Sequence, residues 1–395
     1  MEIKMLTGQD TDKLLKLRER IHDILEKRFF SREDILYDYA GLHGEVVIPT
    51  REECLANQPN AFAWNTPIEN GGFFNGVLLT GLCDLYEKFP SEKLKPKMQK
   101  LYRGLCRLQN SSPVKGCILR GIGSDGKSFY PASSDDQVVP FLLGLWRFSQ
   151  SAASTQEEKA DCRRRCRETV LALKNNRWII PGARKGFERG NIAGKAKCNK
   201  CNILLAAMIL DQTDPNGGSE FERILEERKD IVFAGYPDIP AYACWYSAHS
   251  YYILSMVADA YPAYREQAEK ALRITAEAAS KWISCWKQYV PSLAFTPDWH
   301  PLNSLWREQK NTKDAVDITG GAFWRLWTET CPAVMNERNS IMSAFAAAWI
   351  VLMSRDNEII AKTLPDILEA LDRVPFEDLY YSPFFFAENA IAKII

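Results

Sequence analysis

The chain alternates two kinds of helical segment, and this alternation limits its fold more than any other feature. One kind is amphipathic and charged. Thr11–Phe29 sets Leu14, Leu15, Leu17, Ile21, Ile24 and Leu25 at helical spacing among Lys, Arg and Glu, and the pattern returns at 93–108, 156–175, 220–228, 264–286 and 359–373. The other kind is apolar nearly all round, with starts near Gly71, Val138, Cys198, Ala243, Ser340 and Phe384. A helix that is apolar on every side has to be enclosed by others, whereas one with a single wet face suits an outer layer. About twelve helices paired into six hairpins meet both demands when the inner ones form a ring and the outer ones cover it. The sequence therefore predicts an all-α fold, an (α/α)6 toroid that takes up residues 1–395 as one domain. GEVVIPT (44–50) is the one short strand candidate, and parallel α/β folds lack the strands they need between helices.

Charge and composition remove several classes of function. Lys plus Arg and Asp plus Glu balance at 50 each, so no net field draws the chain to nucleic acid or to an anionic membrane. No stretch offers the roughly 18 uninterrupted apolar residues of a membrane span, and the first twenty residues lack an apolar signal core. The expectation is a cytoplasmic protein as the sequence stands, or a periplasmic or secreted one if a signal peptide has been removed. The 11 cysteines are odd in number and scattered, which points to reduced, buried thiols. Cys198 and Cys201 form a CxxC pair, but a zinc site wants two more ligands, and Cys162 with Cys166 on a charged helix are the only neighbours in sequence. The expectation is no metal.

Gly121–Phe148 joins a polar loop to an enclosed helix, and paired carboxylates stand at the junction. Pro140 is tolerated only near a first turn, so the helix begins between Ser134 and Val139 and puts Asp135 and Asp136 at its mouth. Ser134 and Gln137 have capping-box spacing, which offers a purely structural use for this acid. GIGSDG (121–126) carries the glycine spacing of a dinucleotide loop, but no helix opens at its third glycine and no strand precedes it. No cofactor is expected. Glu69 and Asn70 stand at the mouth of the other enclosed helix in the same way, and neighbouring helical positions diverge by about 100°. A second carboxylate acting with Asp136 on one bond therefore comes from Glu69 rather than from Asp135.

Tryptophans at loop positions, Trp64, Trp178, Trp299 and Trp306, are candidates to stack on sugar rings, and Trp245 and His249 lie on the enclosed aromatic helix. His300, in a loop, is a stronger functional candidate than His249, which suits a hydrogen-bonded core position. Arg120, Arg184 and Arg189 are able to hold a substrate carboxylate through bidentate hydrogen bonds.

With these features in place, the chain resembles the six-hairpin glycosidase superfamily. WNTPIENGGFFNG (64–76) and SDDQVVPFLLGLWRF (134–148) look like the active-site segments of bacterial members, among them relatives of unsaturated uronyl hydrolases. The resemblance implies a toroid whose inner helices start at a funnel-shaped end, with acidic residues in the preceding loops acting on a carbohydrate. The expected function is glycoside hydrolysis by general acid/base chemistry, with Asp136, Glu69 and Asp135 as catalytic candidates and Trp64, Asn70, Arg120, Trp178, Arg189, Trp245, His249, Trp299 and His300 as substrate contacts. A hydration of an unsaturated sugar would use one Asp as both acid and base. Two other readings stand beside it: an epimerase of the N-acylglucosamine type, which needs His249 and His300 in one cavity, and a non-catalytic toroid that binds a glycan or a protein. The oligomeric state is left open.

Overall fold

The computed structural model describes residues 8–214 and 218–395, so Met1–Thr7, part of the stretch scanned for a signal core, lie outside the described residues. Sixteen α-helices account for most of it. The first eight are α1 (Gly8–Arg28), α2 (Arg51–Ala56), α3 (Gly71–Lys88), α4 (Leu94–Asn110), α5 (Asp135–Gln150), α6 (Gln156–Asn175), α7 (Asn202–Thr213) and α8 (Glu220–Val232). There follow α9 (Ala241–Ala260), α10 (Arg265–Ser280), α11 (Thr312–Ile318), α12 (Gly321–Thr330), α13 (Pro332–Glu337), α14 (Ser343–Met353), α15 (Asn357–Arg373) and α16 (Phe386–Ile394). Among the described residues there is no strand, only isolated bridges such as Tyr39 with Tyr381. The fold is all-α.

The apolar helices are the inner ones. α3 packs on α5, α5 on α7, α7 on α9, α9 on α14, α14 on α16, and α16 returns to α3. This closed order is compatible with a helical toroid. α1, α4, α6, α8, α10 and α15 lie against this set from outside, and each carries the charged face its sequence shows. Gly71–Tyr86 of α3 and every residue of α14 are buried. Each large aliphatic side chain so enclosed stabilises the fold by about 1.5–3 kcal/mol relative to exposure.

The structure departs from the twelve-helix expectation in the long connections. Residues 31–67 hold the short α2, opened by a Thr50–Glu53 capping box, and 44–50 pairs with no strand. Residues 289–337, read as helix-poor, contain α11, α12 and α13, each of 10 residues or fewer. They are too short to show helical periodicity in sequence. The segment 264–286 also breaks, with α10 ending at Ser280 and a 3₁₀ turn over Ile283–Gln288.

The closest inner contact is the one that builds the site. A Cβ on Gly76 would overlap the Pro140 carbonyl oxygen, and a Cβ on Gly144 would lie 2.8 Å from the Gly76 Cα. Glycine at both positions lets α3 and α5 touch backbone to backbone, which brings their N-termini together. All 11 cysteines are free thiols, and Cys162 and Cys166 are buried on α6.

Candidate functional site

The helix that begins at Asp135 is not capped as its sequence suggests. Ser134 makes no side-chain cap; its hydroxyl donates to Asp136 Oδ1 and accepts from Arg120 at 2.6 Å. Gln137 turns to α3 instead, giving its amide N–H to Asn70 Oδ1 at 3.1 Å and accepting the Phe73 backbone N–H at 3.3 Å. The capping reading is thereby corrected: the polar groups of this turn serve the neighbouring helix and the carboxylate. Pro140, inside α5, has no N–H to offer the Asp136 carbonyl.

Across from Asp136 stands Arg120, 2% exposed, its guanidinium 3.7 Å from Asp136 Oδ1 and 3.1 Å from the Glu69 carbonyl oxygen. Glu69 accepts the Asn65 backbone N–H at 2.7 Å. Burial pushes its carboxyl above the usual range, against the pull of Arg338, the Asn65 N–H and Arg120. Asn70 is bound from behind by Asp38, whose two oxygens accept its backbone N–H at 2.8 Å and its side-chain N–H at 2.6 Å. Asp38 is fully buried, and burial followed by the Glu69 charge raises its pKa well above a normal aspartate.

Asp135 differs from its neighbour. It accepts from Asn199 at 2.6 Å and lies 3.3 Å from the Tyr246 hydroxyl through both oxygens. Burial and the adjacent Asp136 raise its pKa, while Asn199 and Tyr246 oppose the rise. Tyr246, in turn, is raised by burial and by Asp135 and Asp136.

These groups face a cavity of about 410 Å³ lined by Trp64, Glu69, Arg120, Ser134, Asp135, Asp136, Arg189, Gly190, Trp245, Tyr246, Trp324 and Arg338. Its rim is aromatic and cationic together. The Arg189 guanidinium lies 5.0 Å from the Trp64 ring and 4.5 Å from Phe62. Arg338 lies 4.9 Å from Trp245 and 5.4 Å from Trp324, and Trp64 and Trp324 approach to 5.9 Å. Burial, then the nearby Arg120, lowers the pKa of Arg189.

Seven of the twelve residues singled out from the sequence therefore line one cavity: Trp64, Glu69, Arg120, Asp135, Asp136, Arg189 and Trp245. Asn70 sits just behind it. His249 is buried, 5.9 Å from Phe73, with neither ring nitrogen hydrogen-bonded; burial holds its pKa down to about 4 although Asp136 pulls it upward. Trp178, Trp299 and His300 are not among the lining residues. Trp299 is fully buried and donates its indole N–H to the Val47 carbonyl at 2.8 Å. His300 lies at the surface against Trp299, held by Asp298 at 2.5 Å and Glu53 at 2.7 Å. Its pKa is raised: burial lowers it, but the two carboxylates prevail. Trp178 is half-buried against the hydrophobic core. Arg184 binds Leu55 and Asn57 and does not line the cavity either. The segment before α14 does reach the cavity, but it does so with Trp324 of α12 and with Arg338, in the turn that leads into α14.

Asp38, Arg338, Trp324 and Tyr246 are the functional candidates that sequence reasoning missed. Arg338 had a usable signal, because it lies just ahead of an enclosed apolar helix as Glu69 does. Among the described residues no cluster of His, Cys, Asp or Glu is arranged to hold a metal ion, and no helix is long and apolar enough to cross a membrane. In comparisons with protein families, curated proteins and solved structures, nothing matches this chain.

Proposed function

We propose that the chain is a glycoside hydrolase-like enzyme of the six-hairpin type, acting on a carbohydrate in the cavity between the N-termini of α3 and α5. One observation carries this reading: carboxylates at the mouths of two different inner helices, Glu69 ahead of α3 and Asp136 in the first turn of α5, open into a single cavity walled by Trp64, Trp245 and Trp324. Aromatic faces suit the apolar face of a sugar ring, and two carboxyl groups from separate elements are what cleavage of a glycosidic bond requires. Glu69, held toward its protonated form by burial, gives its proton to the leaving oxygen as the C–O bond breaks. Asp136 takes the proton of the water whose oxygen bonds to the anomeric carbon. Asp135, with both oxygens near Asn199 or Tyr246, orients its surroundings rather than reacting.

A second reading has its own support. Arg189 and Arg338 face the cavity and, among the described residues, neither forms a salt bridge, so an acidic sugar would supply the missing anion and the reaction would extend to hydration of an unsaturated uronide. The epimerase reading loses its premise, because His249 and His300 do not share the cavity. Screening the full chain on aryl glycosides and on unsaturated oligouronides tests the proposal. Turnover of either class supports it and selects between the two reactions. Tight glycan binding without turnover on both panels would leave a binding toroid and remove the enzyme.

A further inference from the structure

Asp38 touches no part of the cavity, yet it is tied to Asp136 by an unbroken series of polar contacts. Both Asp38 oxygens accept from Asn70, one its backbone N–H (2.8 Å) and the other its side-chain N–H (2.6 Å), so Asn70 turns its amide oxygen away. That oxygen accepts the Gln137 side-chain N–H at 3.1 Å. Gln137 is thereby fixed as well: its oxygen takes the Phe73 backbone N–H at 3.3 Å, and its amide nitrogen lies 3.4 Å from Asp136 Oδ2. Asparagine and glutamine amides are nearly symmetrical in shape, and only their partners decide which end is which. In this chain Asp38 decides for Asn70, and Asn70 together with the Phe73 N–H decides for Gln137.

We propose that Asp38 is a positioning residue which, through Asn70 and Gln137, keeps a donor rather than an acceptor turned toward the Asp136 carboxylate. Without it the Asn70 amide is free to reverse, and an N–H in place of its oxygen would push the Gln137 amide nitrogen, which the Phe73 N–H keeps from reversing, away from Asp136. The consequence for catalysis rests on the reading of Asp136 as a reacting group; the relay itself is tested with no substrate. Arg120, Asp135, Arg189, Tyr246 and His249 also face Asp136, and Glu69, Arg338, Tyr39 and Tyr381 face Asp38. A through-space effect and a relay effect therefore have to be separated by sign. Removing the Asp38 charge acts on every nearby carboxylate alike and lowers its midpoint, whereas losing a donor raises the midpoint of Asp136 alone.

Carboxyl-carbon NMR on full-length protein labelled in the Asp and Glu side-chain carboxyls follows both groups across pH, with Asp136→Asn and Glu69→Gln giving the assignments. Asp38→Asn should raise the Asp136 midpoint by about 0.5–1 unit while lowering that of Glu69. Gln137→Leu, which cuts the relay and keeps the Asp38 charge, should raise Asp136 by a similar amount and leave Glu69 unmoved. A fall of both groups in Asp38→Asn, or an unmoved Asp136 in Gln137→Leu, overturns the proposal. If Asp38→Asn does not fold, Gln137→Leu decides alone. A shift of the expected sign in a protein that turns over no sugar would keep the relay and discard the catalytic reading.

Discussion

Two groups of buried charge sit on the same pair of inner helices, roughly 20 Å apart along α3 at 1.5 Å per residue, and they are built in opposite ways. At the far end Asp84 of α3 meets Arg147 of α5 at 3.0 Å, Lys393 at 2.7 Å and the Tyr252 hydroxyl at 2.5 Å. Burial opposes its ionisation, but Lys393 and Arg147 prevail and hold its carboxyl below the usual range. At the cavity end three carboxylates share a space with Arg120, Arg189 and Arg338, and of these arginines only Arg120 comes within salt-bridge distance of one of them. Glu69 and Asp135 are raised instead of lowered. Each end buries acid. The far end neutralises it with cations from two other helices, α5 and α16, and so ties α3 to both, while the cavity end leaves Glu69 and Asp135 without a paired cation and Arg189 and Arg338 without a paired anion, as a site awaiting a ligand would be.

The contrast breaks most decisively at Asp136. Asp136→Asn keeps the shape of the side chain and removes proton transfer, so turnover should fall by about 10² to 10⁴-fold with the circular dichroism spectrum unchanged. Retained activity would make the cavity end scaffold like the other. Asp84→Ala should do the reverse, costing about 3 kcal/mol in urea unfolding because it removes the buried carboxylate that Arg147, Lys393 and Tyr252 share, with ligand affinity unaltered. Its share of stability is present above the unfolded carboxylate range near 3.9 and is lost as pH falls through the lowered folded value, so the variant should be flatter than the parent in acid.

His249 sharpens the comparison from beneath the cavity. Its imidazole is held to about 4 in the folded chain and titrates near 6.5 when unfolded, so its contribution to stability is complete above pH 6.5 and disappears as pH falls toward 4. His249→Phe should lose less stability over that interval in thermal melts at stepped pH. The smallest effect belongs to His300→Ala, which removes two exposed ion pairs and should change stability by less than about 1 kcal/mol, with turnover untouched. A large loss of turnover there would move the site away from the cavity described above.

Much of this architecture was legible because one physical rule repeats: an enclosed helix is apolar all round, so its start is marked by the last polar residues before the run. That rule located Glu69, Asn70, Asp135 and Asp136. Applied to every inner helix, it would also have named Asn199 ahead of α7, Tyr246 in the first turns of α9 and Arg338 ahead of α14. For Trp299 and His300 loop position does not mean access to the cavity: the Trp299 indole is satisfied by Val47 and its ring is fully buried, and His300 is held at the surface by Asp298 and Glu53. Asp38 was out of reach for a different reason. It lies in an irregular segment without periodicity, and its partner Asn70 is 32 residues away, a pairing that only the closed fold creates.

The crossing of Gly76 and Gly144 has a consequence for how such a protein can change. Because main chain rests on main chain there, the spacing of the two helix mouths is set as by a welded joint, and no choice of side chain on α3 or α5 can act as a shim to widen it. Adaptation to a larger or smaller ligand has to come through the tryptophan-bearing connections, which can be swapped like jaws on a fixed vice while the jig that holds Glu69 and Asp136 stays true.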